Sequence, residues 1–180
     1  NDSKNLACWQ DASKIAEDEE VNVGLVVPDG WVFLDFDSCR NPETGEVSQI
    51  VGGFRNPFDM AMNASGDIFN FEADMEWDFG LPWYREIRVV HAVEGGDFGW
   101  RTGSSKMPLY YIDTLPSVDD VGRGSPVGVA FYYHDAYPEQ FHGALFMGDW
   151  ARGRIRVILP ERDGATYTGT TQDFVLGEPL

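Results

Sequence analysis

Short stretches of alternating bulky and polar residues, separated by turn residues, recur through the chain after residue 20 and constrain its fold most. Residues 58–63 and 68–72 alternate in this way and flank the turn 64–67, in which Gly66 can take a positive φ angle. Such a pattern predicts a β-hairpin. After residue 20 the sequence shows no stretch with the period of an amphipathic helix. The sequence therefore predicts an all-β protein.

The predicted strands group into three antiparallel meanders. The first covers residues 21–51, the second 52–124 and the third 125–180, while the polar and acidic residues 1–20 form an N-terminal segment that is a loop or a boundary. Four-stranded meanders of about 40–50 residues are the blades of a β-propeller. We therefore expect a partial β-propeller over residues 21–180. It would hold about three to four blades as an open partial ring, a fragment of a longer propeller.

Acidic residues dominate the charge of the chain. It has 13 Lys and Arg against 30 Asp and Glu, which gives a formal net charge of −17. Nucleic acids and anionic membrane surfaces are both bound by Lys and Arg, so this charge argues against either partner. The sequence has no apolar run long enough for a transmembrane segment. Cys8 and Cys39 form no Cys-x-x-Cys motif, and both a disulfide and two separate thiols stay open.

A loop rich in acids and aromatics follows the predicted hairpin. Its residues have no regular period, and four carboxylates fall close together, at Glu72, Asp74, Glu76 and Asp78. Calcium is bound by about six to eight oxygen atoms, often from carboxylates on a loop. Asp74, Glu76 and Asp78 are therefore candidate metal ligands. The alternative is a solvated acidic loop in a chain that is acidic throughout.

Two motifs on either side of this loop resemble a known family. GFRNP at 53–57 and GGDFGW at 95–100 resemble the G-x-R-N-P strand start and the G-G-x-[FY]-G-W close of the glucose/sorbosone dehydrogenase propellers. The stretches DMEWDFGLPWYR and GSPVGVAFY are similar to secreted bacterial proteins known as membrane-bound dehydrogenases, which often carry a cytochrome c module. The resemblance implies a six-bladed propeller, a pyrroloquinoline quinone (PQQ) cofactor and bound calcium. It also implies a periplasmic or extracellular location.

The resemblance implies cofactor ligands at the G-x-R-N-P start. In the family the Arg and Asn of this motif face the quinone, which assigns Arg55 and Asn56 in this sequence. PQQ is a tricarboxylate, and a guanidinium group can bind a carboxylate through two parallel hydrogen bonds. The alternative is structural: Arg55 would bind backbone carbonyl groups of a neighbouring blade.

Further candidate ligands lie in the third meander. Ser125 falls where the family has a polar contact to the cofactor. The family also supplies a cationic contact, typically a Lys, where this sequence has Ala151. Arg152 is the candidate substitute, with Arg154 as the alternative. This departure weakens the case for cofactor binding.

The sequence assigns no catalytic residue. A base that removes a proton from an alcohol is expected to be a His with a pKa near neutrality. His91 lies on a predicted strand, where it can equally be a hydrogen-bonded core residue. The family's catalytic His belongs to an earlier blade, so the base is expected to lie outside this sequence.

The leading expectation is therefore a fragment of a secreted quinoprotein dehydrogenase that oxidises a sugar or alcohol with PQQ and calcium. A cytochrome c module or another acceptor would take the electrons, and the fragment alone is expected to be inactive. The Arg55–Asn56 pair and the acidic loop favour this interpretation. The alternative, favoured by Ala151, is a non-catalytic β-propeller that binds carbohydrate or protein partners. A calcium-dependent hydrolase propeller, such as a lactonase, is a third and weaker possibility.

Overall fold

The computed structural model describes residues 51–75, 84–101 and 110–177, together with the strand backbones at 26–27, 31–35, 38–40 and 47–49. The four earlier strands form one antiparallel sheet in chain order: β1 (Val26–Val27), β2 (Trp31–Asp35), β3 (Ser38–Arg40) and β4 (Val47–Gln49). Cys39 lies in β3, but Cys8 lies outside the described residues, so the question of a disulfide stays open.

The second sheet contains the hairpin that the alternating pattern predicts. Its strands are β6 (Met60–Met62), β7 (Ile68–Glu72), β8 (Ile87–Ala92) and β10 (Asp119–Gly122), and they pair in the order β10-β8-β7-β6. Met60 pairs with Asn70 and Met62 with Ile68, which confirms the predicted hairpin. Asn63 closes the turn, because its side-chain oxygen accepts N–H bonds from Ser65 and Asp67 at 3.0 and 2.9 Å.

Residues 103–124 show no strand-like alternation in the sequence, which predicts an irregular segment, and this prediction is wrong at the C-terminal end. Asp119–Gly122 is the fourth strand of the second sheet and pairs with β8. The two adjacent acids hide this strand in the sequence. Val118 is buried and Val121 packs against the same core, while Asp119 accepts the N–H of Thr171 at 2.7 Å.

The third sheet has four strands. Its strands pair in chain order: β11 (Pro126–Phe131), β12 (Leu145–Asp149), β13 (Arg154–Ile158) and β16 (Gln172–Leu176). A separate hairpin, β14 (Glu161–Asp163) and β15 (Thr166–Thr168), leaves this sheet after β13. The helical elements in the described ranges are two 3₁₀ turns, Glu139–Phe141 and Trp150–Arg152. Within those ranges, none of the helical segments has the length and apolar character that crossing a bilayer would require.

Both faces of the second sheet are buried, so every residue of β7 and β8 is buried. Phe69 and Phe71 contribute to a core shared with the third sheet, where they meet residues such as Leu145 and Met147. The opposite face forms a second core, to which Val90 and its neighbours contribute: Val51, Phe54, Met62, Ile68, Ala92 and Phe98. Successive strand residues point to opposite faces, so alternate residues supply the two cores. Sheets stacked face to face in this way, without closure, make the all-β fold an open partial β-propeller, as predicted.

The two glycine-rich motifs of the second meander are joined directly. Strand β5 (Val51–Gly52) runs parallel to β9 (Gly96–Asp97). The N–H of Trp100 bonds to the carbonyl of Gly53 at 2.8 Å, and the Phe54 and Phe98 rings stack at 4.9 Å. The GFRNP start is therefore anchored on the GGDFGW segment.

Candidate functional site

The turn that precedes β6 is held by a buried carboxylate at the end of β7. Oε1 of Glu72 accepts the main-chain N–H groups of Arg55 and Asn56, at 2.6 and 3.3 Å. Glu72 is completely buried, whereas Asn56 is exposed and the Arg55 side chain retains 31% of its surface. Glu72 therefore fixes the backbone of the turn and leaves both candidate side chains accessible.

The environment of Glu72 disfavours its charge. Burial raises the pKa of Glu72 to about 7, although the Arg55 N–H and the Arg88 guanidinium group act in the opposite direction. Arg88 lies opposite Glu72 on β8 and is also fully buried, with Nη2 donating to the carbonyl of Phe98 at 2.7 Å. Among the residues that the structure describes, the second carboxylate oxygen of Glu72 has no hydrogen-bond partner. Glu72 is thus a buried acid whose hydrogen bonds serve the main chain of the Arg55–Asn56 turn.

The same arrangement recurs in the third sheet. Asp149 ends β12 as Glu72 ends β7, and its Oδ1 accepts the main-chain N–H of Ser125 at 2.8 Å. Asp149 is fully buried, and Oδ2 lies 3.6 Å from Nε of Arg156 on the next strand. A Cβ atom on Gly124 would lie 2.7 Å from Cγ of Asp149, so this close approach requires glycine. The candidate turns in the two sheets are therefore fixed by equivalent carboxylates.

The short 3₁₀ turn Trp150–Arg152 is attached to the Ser125 turn. The main-chain N–H of Trp150 bonds to the carbonyl of Ser125 at 3.2 Å, and the Trp150 side chain is 57% exposed. Arg152 is also exposed, and among the described residues it has no ion-pair partner. Arg154 instead lies 3.2 Å from Asp173. Of the two candidates for the missing Lys, Arg152 is therefore the one left to bind a ligand.

Asp74 connects Arg55 with an aromatic residue that lies beyond the acidic loop. Oδ1 of Asp74 lies 4.0 Å from Nη1 of Arg55, and the Asp74 carboxylate interacts with the Tyr84 hydroxyl. Burial, together with the negative charge of Asp74, raises the pKa of Tyr84. The guanidinium group of Arg123 lies 5.2 Å from the centre of the Tyr84 ring, a cation–π distance. The structure thus brings Arg55 and Asp74 together, and it adds Tyr84 and Arg123.

The predicted metal ligands are only partly described. Asp74 is engaged by Arg55 and Tyr84, while Glu76 and Asp78 lie outside the described residues. Within the described ranges, no group of three or more His, Cys, Asp and Glu side chains is arranged to hold a metal ion. A calcium site would therefore need ligands in addition to the His, Cys, Asp and Glu side chains of the described ranges.

His91 is buried between the second sheet and the β14–β15 hairpin. It is 6% exposed, its ring stacks on Phe69 at 5.4 Å, and its Nδ1 lies 3.3 Å from the Thr166 hydroxyl. Nε2 lies 3.7 Å from Asp67, at the start of β7, whereas Glu72 and the Arg55 turn lie at the end of this strand. His91 is therefore part of a contact between sheets at the opposite end from the candidate site.

Sequence reasoning missed three members of this site. Glu72 was grouped with the calcium candidates, and neither Asp149 nor Arg123 was singled out. A signal existed for the two acids, because each ends a predicted strand that follows an Asn-Pro or Ser-Pro strand start. Arg123 carried no such signal, since its contact with Tyr84 depends on the pairing of β10 with β8.

Solved structures similar to this chain are sugar dehydrogenases. The PQQ-bound aldose sugar dehydrogenase of Streptomyces coelicolor matches 82% of this chain and 40% of its own, at 18% identity and a TM-score of 0.54. The soluble aldose sugar dehydrogenase of Escherichia coli in its apo form matches 74% and 39%, at 23% identity and a TM-score of 0.50. An oxidoreductase (glucose dehydrogenase) from Thermus thermophilus matches 72% and 35%, at 17% identity and a TM-score of 0.54.

These similarities extend to the fold. The chain spans between 35% and 40% of the length of these three structures. No protein-family model matches the sequence. No curated protein matches it either. The resemblance of the sequence to the sugar dehydrogenase propellers is thus confirmed in three dimensions, at the level of the fold.

Proposed function

We propose that this chain is part of a quinoprotein dehydrogenase that oxidises a sugar or an alcohol with PQQ and calcium, in the periplasm or outside the cell. The observation that carries the proposal is the Arg55–Asn56 turn, whose main chain is held by the buried Glu72 while both side chains remain accessible. The turn belongs to a fold shared with sugar dehydrogenases, one of which is described as PQQ-bound.

The residues of the site suit a flat, anionic cofactor. The guanidinium group of Arg55 would bind a carboxylate of PQQ, and the exposed amide of Asn56 would supply both a donor and an acceptor. Ser125 and Arg152 would contribute a hydroxyl group and a second cation from the third sheet. The Glu72 and Asp149 carboxylates would keep the two turns in place by bonding their main-chain N–H groups. PQQ, when bound, supplies a quinone that accepts the hydride removed from the substrate.

Calcium enters the proposal through the acidic loop. Asp74, Glu76 and Asp78 would supply carboxylate oxygens, the type of ligand that calcium prefers. Asp74 would have to exchange its contact with Arg55 or Tyr84 for the metal. In the complete enzyme, electrons would pass to a cytochrome c module or another acceptor.

The proposal is tested by calorimetric titration of PQQ into the complete enzyme of which this chain is part, first with calcium and then after removal of calcium with a chelator. Submicromolar PQQ binding that weakens at least tenfold on chelation is the expected result, since a metal ion and the cofactor would share the site. Tight PQQ binding with the same affinity before and after chelation would show that calcium is not part of the site. The absence of PQQ binding in both titrations would overturn it.

A second candidate function is a non-catalytic propeller that binds carbohydrate or protein partners. The observation that favours it is Ala151, an exposed residue where the resembled family places a cofactor-binding Lys. Binding to an immobilised glycan array, together with a failure to bind PQQ, would support this candidate over the dehydrogenase.

A further inference from the structure

Four side chains form a continuous line on one side of the Arg55 turn. Arg55 contacts Asp74, Asp74 contacts the Tyr84 hydroxyl, and the Tyr84 ring carries Arg123 on its face. Arg123 directly precedes the Gly124–Ser125 turn, which Asp149 holds in place. The line therefore connects the candidate turn of the second sheet with the candidate turn of the third sheet.

We propose that Arg123 and Arg55 form a two-guanidinium site that binds the carboxylates of a planar, polyanionic ligand, with Tyr84 as the platform that holds Arg123. The proposal rests on the proposed function, in which that ligand is PQQ. It adds Arg123, a residue without a functional signal in the sequence, as a further cation beside Arg55 and Arg152.

The contact with Tyr84 leaves the hydrogen-bonding edge of Arg123 available. The central carbon of the Arg123 guanidinium group lies 5.2 Å from the centre of the ring, and a cation–π contact of this kind does not require any of its five N–H donors. Arg123 is exposed, and within the described ranges it has no ion-pair partner. Stacking also restricts the rotamers of the side chain, so less conformational entropy is lost when a ligand binds.

Most other arginines near the two turns are already engaged. Arg154 and Arg156 lie 3.2 and 3.7 Å from the carboxylate of Asp173, and Arg101 is paired with Asp97 at 2.5 Å. Arg85 and Arg88 are buried and donate to the carbonyl of Phe98. Arg123 therefore differs from these arginines in combining exposure with a contact to an aromatic ring.

A further guanidinium group would help the site to bind an anion in a strongly acidic protein. The chain has a net charge of −17, so its overall field repels a tricarboxylate. Local cations must outweigh this repulsion. Ala151 supplies no charge where the resembled family has a Lys, and Arg55 already faces Asp74. Arg123 restores positive charge beside the site from a different position in the fold.

The test compares PQQ affinity by calorimetry, in the complete enzyme with saturating calcium, for wild type and three variants. Arg123→Gln is expected to weaken binding by about tenfold or more, because a hydrogen bond to a charged group is lost. Arg123→Lys keeps the charge but loses the planar fork and is expected to give an intermediate loss. Arg162→Gln is the control: it removes the same charge from the opposite end of the sheets, where Arg162 pairs with Asp67.

The platform is tested by a matched pair at Tyr84. Tyr84→Phe keeps the ring beneath Arg123, whereas Tyr84→Leu removes it. If the ring positions Arg123, Tyr84→Leu weakens PQQ binding several-fold more than Tyr84→Phe, and Arg123→Gln has little further effect in the Leu background. Equal affinities of the two Tyr84 variants would contradict the platform.

The outcomes separate this proposal from the proposed function. If wild type binds PQQ and Arg123→Gln binds it equally well, the two-guanidinium site is overturned and the dehydrogenase proposal stands. If wild type does not bind PQQ, the dehydrogenase proposal fails, and trimesate, a planar tricarboxylate without a quinone, is titrated instead. Trimesate binding that Arg123→Gln weakens would support the anion site; no trimesate binding would overturn it.

Discussion

Oε1 of Glu72 lies 2.6 Å from the main-chain nitrogen of Arg55, a residue 17 positions earlier in the chain. This contact joins the end of β7 to the turn that begins β6. Asp149 and Ser125 repeat the relationship in the third sheet, at 2.8 Å. In each of these two sheets, a carboxylate at the end of one strand therefore fixes the turn that precedes the neighbouring strand. That turn carries the side chains proposed to bind the cofactor.

The buried Glu72 gives the first prediction. Its pKa is raised to about 7, so protonated Glu72 stabilises the fold at low pH, and this contribution is lost as the pH rises from 4.5 through about 7. Glu72→Gln keeps an acceptor for the Arg55 N–H and removes the titration. We expect the variant to gain unfolding free energy relative to wild type between pH 5 and pH 8, by up to about 3 kcal/mol. Urea unfolding at both pH values measures this difference.

The control for this prediction is Glu86→Gln, which removes an exposed carboxylate near the same strand. Its difference from wild type should be the same at both pH values to within about 0.5 kcal/mol, as for most surface substitutions. A Glu72→Gln difference that is equally independent of pH would show that Glu72 remains charged in the folded protein.

Gly53 and Gly95 provide a matched pair at the anchored start of the second sheet. Both have positive φ angles, 78° and 77°. A Cβ atom on Gly53 would lie 2.5 Å from the nitrogen of Gly99, whereas the surroundings of Gly95 are open. Gly95→Ala should cost about 1 kcal/mol through backbone strain, and Gly53→Ala about 2 kcal/mol more through the clash. Similar melting temperatures for the two variants would rule out tight packing of Gly53 on the GGDFGW segment.

The Tyr167 hydroxyl links the β6–β7 turn of the second sheet to the separate β14–β15 hairpin. It donates to Asp67 and accepts bonds from Asn63 and Arg162, at 2.9 and 2.8 Å. Tyr167→Phe keeps the ring contacts with Phe69 and removes the hydroxyl, so it should reduce the unfolding free energy by about 1–3 kcal/mol. The exposed Tyr110 is the control, and Tyr110→Phe should leave the stability unchanged in the same thermal melts.

His91 gives a prediction with the opposite pH dependence to that of Glu72. Burial lowers the pKa of His91 from 6.5, although Asp67 acts against this; Arg162 lowers it further, and the Tyr167 ring packs edge-on against the imidazole. Neutral His91 therefore stabilises the fold above pH 6.5, and this contribution is lost as the pH falls through the lowered value. Thermal melts from pH 7.5 to pH 5 should show a smaller loss of stability for His91→Gln than for wild type. A steeper loss in the variant would mean that Asp67 stabilises the imidazolium form.

The strands could be predicted from the sequence because successive residues of a strand point to opposite faces of its sheet. Even where both faces are buried, the side chains therefore fall into two alternating sets. Phe69 and Phe71 serve one core while Ile68 and Val90 serve the other, and the bulky residues that mark β7 belong to these sets. Strand β10 escaped prediction because its polar residues are held by contacts from distant segments, such as the Asp119–Thr171 hydrogen bond.

The sequence predicts which residues belong to the site better than it predicts the hydrogen bonds between them. Arg55 and Asn56 followed from a motif, but the role of Glu72 did not, because an acid that precedes Asp74, Glu76 and Asp78 resembles part of a calcium loop. Burial and the register of β6 with β7 give Glu72 a different role from its acidic neighbours. Contacts of this kind depend on strand pairing, which a single sequence does not encode locally.

The decisive comparison is the PQQ affinity of Arg55→Ala beside that of wild type, measured by calorimetry with calcium present. Arg55 is the residue on which the motif, the Glu72 contact and the proposed anion site converge. We predict that Arg55→Ala weakens PQQ binding by about tenfold or more, with the melting temperature nearly unchanged because the main-chain bond to Glu72 remains. Equal PQQ affinity in wild type and Arg55→Ala would contradict the proposed cofactor site, since PQQ would then bind without the turn that Glu72 holds.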